Sequence, residues 1–122
     1  MTAAGVRDPE LTTMDVVAAF NDAFNRHDAD GLRALMTDDC VFVDTSPPEG
    51  VRHEGVAAAS DAFESLFVQS PRAHFDAHLV LVAGDRVVQG WRYSWGDGHV
   101  DGVDILRVRD GRVAEKCSYV KG

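Results

Sequence analysis

Two carboxylates stand where a folded chain has least use for charge. Asp104 lies inside the apolar run Val103-Asp104-Ile105-Leu106, and Asp44 closes the strand-like segment Cys40-Val-Phe-Val-Asp44. A carboxylate on a buried strand face is costly unless it is paired, hydrogen-bonded or protonated. Two of them at apolar strand positions suggest proton transfer in a dry pocket. In a strict strand Asp104 shares its face with Leu106 and Val108, while Asp101 takes the opposite face as a solvated edge charge. Each has a plainer alternative. A bulge at Gly102 would turn Asp104 outward, and Asp44 would serve as an Asx-type turn residue before Thr45-Ser-Pro-Pro.

Other polar residues near the chain end compete for the same chemistry. Glu115 alternates with Val113, Cys117 and Tyr119, an otherwise apolar face, so it is a third pocket carboxylate or the partner of Arg92 in a structural ion pair. Tyr119 shares that face as a hydroxyl donor or as a core aromatic. Trp91, Tyr93 and Trp95 form one strand face, with Arg92 and Ser94 on the other. Such an aromatic row lines a cavity or forms a patch between two copies of the chain. The second arrangement is expected, and it would point Arg92 into the pocket. His74, Asp76 and His78 also share a face, a donor set suited to iron or zinc. The apolar opposite face, Phe75, Ala77, Leu79 and Leu81, argues that the histidines lie outside in solvent. His53 and Glu49 are expected near the pocket mouth, and His99 on the surface.

The elements that must carry these groups divide the chain in two. Thr13 is expected to cap a helix over about residues 14–27, with Asp15 in its first turn. Val16, Val17, Phe20, Ala23 and Phe24 fall on one face of that helix. A short helix with Leu32, Leu35 and Met36 inward precedes the strand at residues 40–44. Residues 45–55 read as a loop broken by two prolines and two glycines. A third helix over about 56–68 buries Val56, Ala59, Phe63, Leu66 and Phe67. From residue 73 onward the apolar period changes to two, with turns at Gly84-Asp85, Gly96-Asp97-Gly98 and Asp110-Gly111, which gives an antiparallel meander. The expected fold class is therefore α+β, a curved antiparallel sheet wrapped around helices to form a cone with an internal pocket.

Composition bounds the function. The 122 residues suit one domain over residues 13–122 behind a short N-terminal tail, 1–12. The net charge of −8 disfavours nucleic acid and anionic membrane surfaces as partners. No run of 18 apolar residues would span a membrane. The N-terminus lacks an apolar signal-peptide core. The cysteines, Cys40 and Cys117, fit small core residues in a reducing cytoplasm. No zinc-like spacing is present, so neither metal nor cofactor is expected.

The order helix, short helix, strand, loop, helix and four-strand meander resembles the nuclear transport factor 2-like superfamily, also called cystatin-like. The segment from Asn25-Arg-His-Asp-Ala-Asp-Gly to Cys40-Val-Phe-Val-Asp44 resembles the opening of its ketosteroid isomerase and SnoaL-like polyketide cyclase branch. The run Asp104-Ile-Leu-Arg-Val-Arg-Asp-Gly-Arg-Val resembles the last hairpin. The resemblance implies that Asp44 is a general base and that Asp104 is a protonated acid donating to an oxyanion. It also places Phe20 where an oxyanion-hole tyrosine is expected. Phenylalanine cannot donate, and one lost donor costs about 3–4 kcal/mol of barrier. The resulting expectation is a cofactor-free isomerase- or cyclase-like enzyme acting on a small apolar carbonyl compound, as a homodimer. Asp44, Asp104 and Tyr119 would be its catalytic residues, with Phe20, Phe63, Phe67, Arg92 and Glu115 as substrate-binding walls. The alternative is a non-catalytic ligand-binding or dimerisation domain of the same fold.

Overall fold

A computed structural model describes residues 9–46 and 48–121, with side chains from Thr12 onward. Three helices and six strands follow in the order α1 Pro9–Asn25, α2 Ala29–Ala34, β1 Met36–Asp44, β2 Val51–Glu54, α3 Val56–Gln69, β3 His74–Ala83, β4 Arg86–Ser94, β5 His99–Arg109 and β6 Arg112–Val120. The α+β expectation holds. One sheet has the strand order β2-β1-β6-β5-β4-β3, with β1 parallel to β6 and every other pair antiparallel.

Three local expectations change. Most of the expected tail lies outside the described residues, and Pro9 is already helical. Thr13 sits inside α1 rather than capping it, and its hydroxyl donates to the Gly84 carbonyl at 2.9 Å, tying the helix to the β3–β4 turn. Part of the 45–55 loop is a strand. β2 lies against β1 in the register Val41 to Glu54 through Asp44 to Val51. Asp28 caps α2 by accepting the Gly31 N–H at 2.9 Å. The Asp110-Gly111 turn is as expected, with φ of 54° and 74°, the left-handed pair that matches strand twist in a two-residue hairpin.

The meander departs from strict alternation at two bulges, and these decide which residues face inward. In the β5–β6 hairpin the turn pairs Val108 with Val113, but Arg107 pairs with Glu115, so Ala114 is an extra residue. Beyond it Lys116, Ser118 and Val120 face the helices, while Glu115, Cys117 and Tyr119 face out. In β3 the register slips between Ala77 and Leu79, leaving His78 as the extra residue. Phe75 is therefore buried whereas Leu79 and Leu81 are exposed on the outer face. His74, Asp76 and His78 are also exposed.

The core lies between the concave sheet face and the helices. Phe63 on α3 sits at its centre, with ring centroids 5.8 Å from Phe20, 5.9 Å from Phe24 and 4.5 Å from Phe42. Trimming this ring removes buried area and three aromatic contacts. Phe63→Ala should cost about 3–5 kcal/mol of stability, read from urea unfolding midpoints at constant slope.

Candidate functional site

One row of inward-facing residues crosses the sheet. Asp44 of β1 pairs with Ser118 of β6, Ser118 with Asp104 of β5, and Asp104 with Gln89 of β4. The row exists because the bulge at Ala114 shifts the hairpin by one residue. Without it Asp104 would face Cys117. With strands about 4.8 Å apart, the Asp44 and Asp104 backbones stand about 10 Å apart on one concave surface.

Asp104 is fully buried, as its parity with Leu106 and Val108 implies. Its Oδ1 accepts hydrogen bonds from Trp91 Nε1 and Ser118 Oγ, both at 2.7 Å. Its Oδ2 accepts from Gln89 Nε2 at 2.9 Å and lies 3.7 Å from Lys116 Nζ. Gln89 is held in turn by Asn21 on α1, whose Nδ2 donates to Oε1 at 2.8 Å. Three hydrogen-bond donors and one ammonium thus converge on one carboxyl group. Both oxygens are occupied by these protein partners. Gly102 does not bulge the strand. It leaves space for the Trp91 ring, with which a methyl group at that position would collide.

Lys116 is the residue that strict alternation conceals. It is 5% exposed. Its Nζ lies 5.2–5.8 Å from the ring centroids of Phe20, Phe24, Phe42, Phe63 and Phe75. Aromatic faces favour a cation at such distances.

A cavity of about 610 Å³ opens beside this cluster, lined by Asp44, Asp104, Lys116 and Ser118 among aromatic and aliphatic walls. Its size suits a small organic ligand. Asp44 is half-buried at the cavity wall, where its Oδ1 accepts the Ser46 N–H at 2.8 Å and the Ser46 hydroxyl at 2.6 Å. Both sequence readings of Asp44 therefore apply, as turn residue and as pocket carboxylate. Its Oδ2 accepts no hydrogen bond among the described residues. Thr45 anchors the turn by donating to the Ser118 carbonyl at 3.0 Å and accepting the Val120 N–H at 3.0 Å.

The aromatic row is turned the other way from the expectation. Trp91, Tyr93 and Trp95 line the cavity, and Arg92 faces outward, donating to Asp101 at 2.8 and 3.3 Å. The unbroken β4–β5 register sets this orientation. Burial pushes the Tyr93 phenol up from its ordinary value, so it keeps its proton. Its hydroxyl, with Ser70 beside it, completes no hydrogen bond among the described residues. Tyr119 is 51% exposed on the outer face, and Glu115 is exposed there too. Neither lines the cavity, because the Ala114 bulge inverts their parity. Phe63 is a cavity wall, whereas Phe20 and Phe67 pack behind it in the core. His53 stacks on Phe42 at 5.5 Å.

Sequence reading thus found both carboxylates, missed Lys116, Ser118 and Gln89, and set Trp91 and Tyr93 on the wrong one of the two faces it weighed. A buried carboxylate needs donors, and a search for neighbours able to donate to Asp104 would have reached Trp91 and Gln89 on the preceding strand. No three-residue cluster of histidine, cysteine or carboxylate suited to a metal exists among the described residues, and no helix among them is long and apolar enough to cross a membrane. Replacing Asp104 with Asn sets an amide N–H₂ against existing donors. Asp104→Asn should cost about 1–3 kcal/mol in urea unfolding and alter the Trp91 fluorescence.

The SnoaL-like domain matches residues 17–116. A nuclear transport factor 2-like protein of unknown function from Mesorhizobium loti is 39% identical, with a TM-score of 0.83 over 96% of this chain and 97% of that one. A candidate SnoaL-like polyketide cyclase from Jannaschia is 23% identical, with a TM-score of 0.79 over 95% and 90% of the two chains. A candidate ketosteroid isomerase from Kribbella flavida is 19% identical, with a TM-score of 0.80 over 93% and 80%. The last two likenesses carry the fold alone. Among curated proteins none matches.

Proposed function

The chain belongs to the SnoaL-like domain family, and within it we propose a cofactor-free isomerase- or cyclase-like catalyst that moves a proton on a small apolar carbonyl compound. The observation that carries this reading is Asp44, a carboxylate with one oxygen fixed by Ser46 and the other without a hydrogen bond among the described residues, on the wall of an aromatic cavity. Asp44 takes the α-proton of the bound carbonyl compound and returns it elsewhere. Negative charge then develops on the carbonyl oxygen. With phenylalanine at position 20, the positive pole for that charge is Lys116, supported by the Tyr93 hydroxyl. Asp104 acts by holding Lys116 and Trp91 in place, a positioning role. Tyr119, Arg92 and Glu115 have no part in this reading, because all three face outward.

The second reading, a binding domain without catalysis, draws on the closed network around Asp104. Exchange of α-protons separates the two. The probe 2-tetralone, an apolar two-ring ketone, should take up solvent deuterium at its α-carbons faster with the protein than in buffer, followed by mass spectrometry. Asp44→Asn should lower that rate by about 10²–10⁴. Binding of 2-tetralone with no enhanced exchange, or equal exchange in Asp44→Asn, would leave the binding reading in its place.

We also infer a homodimer, through a different surface from the tryptophan face expected from the sequence. Leu79, Leu81, Val103, Ile105 and Tyr119 are 38–57% exposed on the outer sheet face. A contiguous apolar patch of this kind is uncommon on a monomer. Charges of both signs, Arg92 with Asp101 and Arg107 near Glu115, lie among these residues. A two-fold axis would set such a patch against itself with opposite charges facing. Sedimentation at micromolar concentration should give twice the 13.3 kDa chain mass, and Ile105→Glu should return it to one chain. A wild-type species of a single chain mass would contradict the dimer.

A further inference from the structure

Of the twelve basic residues in the chain only two are lysines, Lys116 and Lys121, and both line the cavity. The surface ion pairs on the described residues are made by arginines. Arginine would serve as well or better for pairing with Asp104, since its planar fork binds a carboxylate through two N–H groups. What lysine offers instead is an amine that can lose its proton and attack a carbonyl carbon, a step closed to guanidinium. Lys116 is also placed for such a step. Its Nζ is nearly dry among five phenyl rings, at the wall of a cavity sized for a small apolar molecule. Among the described residues its one close acid is Asp104, at 3.7 Å, longer than a strong charge-assisted hydrogen bond.

We propose that Lys116 captures aldehyde and ketone ligands covalently as an iminium ion, with Asp104 as the fixed counter-ion. This deepens the reading above and rests on its carbonyl ligand class. The ammonium gives one proton to cavity water, and the Nζ lone pair forms a C–N bond as the C=O π electrons move to oxygen. The oxygen takes up that proton, giving a carbinolamine. The second proton leaving nitrogen goes to the hydroxyl group, the C–O bond breaks, and water departs. The nitrogen lone pair completes C=N, and the third of the ammonium's protons stays on nitrogen, which leaves it an iminium cation. Overall, an ammonium and a carbonyl compound give an iminium and one water, with no oxidation or reduction. The positive charge returns to nitrogen in the iminium, so the Asp104 pair is restored. An iminium draws electrons from the adjacent C–H bond, which supplies the activation that the Phe20 position cannot.

The test uses the whole chain, 2-naphthaldehyde as the apolar carbonyl probe, and sodium cyanoborohydride to reduce any iminium to a stable amine. Intact mass should show one naphthylmethyl group per chain, and peptide mapping should place it on Lys116. The urea-unfolded chain should label both lysines alike, which makes selectivity a property of the fold. Lys116→Arg should lose the adduct, with circular dichroism reporting its folding; if it does not fold, the native-against-unfolded comparison still decides. Absence of an adduct in the native chain, or labelling of Lys121 or the N-terminus with Lys116 untouched, would overturn the proposal. Exchange of 2-tetralone protons that persists in Lys116→Arg would remove the iminium and leave the Asp44 reading standing. A Lys116 adduct in a chain that exchanges no protons would keep the iminium and remove the Asp44 role.

Discussion

Asp104 has no solvent exposure, and a carboxylate there without partners would cost several kcal/mol. Much of the concave face can be read as the answer to that constraint. Two strands and one helix contribute to it: Trp91 and Gln89 from β4, Ser118 and Lys116 from β6, and Asn21 from α1 behind Gln89. Gly102 is small so that the Trp91 ring can lie across β5 and reach the carboxylate. Satisfied in this way, the network orders the wall of the cavity. Left half-satisfied, it would be worse than an apolar core.

The two hairpin bulges have effects out of proportion to their size. A strand has period two, so one extra residue moves every later side chain to the other face. At Ala114 the shift brings Lys116 and Ser118 to Asp104 and sends Glu115 and Tyr119 out. At His78 it turns Leu79 and Leu81 away from the helices. The same kind of irregularity therefore builds the polar floor of the cavity and the apolar outer face. Bulges also increase local twist, which suits a sheet that must curl around α1 and α3.

The cavity has two contrasting ends, and the proposed proton transfer would use both. At one end Asp44 is held by Ser46 at the cavity wall. At the other a cation is kept dry among phenyl rings and fixed by a buried anion. Interactions inside such a cavity are stronger than in water, because little solvent remains to screen them. The fold is shared with proteins of several kinds, so the chemistry must be argued from these side chains rather than from the cone.

The sequence by itself determined the fold class, the antiparallel meander, the Asp110-Gly111 hairpin and the two carboxylates, because periodicity, turn chemistry and charge in an apolar run are local signals. It placed Asp104 inward correctly, since β5 itself alternates regularly from Asp104 through Leu106 to Val108 and the extra residue of the hairpin lies on β6. The tertiary structure alone decided which faces of β4 and β6 look inward, and with them the fates of Arg92, Glu115, Tyr119, Trp91 and Lys116. The physical reason is that a bulge leaves little local trace. Ala114 could sit in a regular strand, and its extra position is fixed by the fit of β6 between β5 and β1. β2 was hidden for a related reason: its four residues are ordered by pairing with β1 rather than by any apolar pattern of their own.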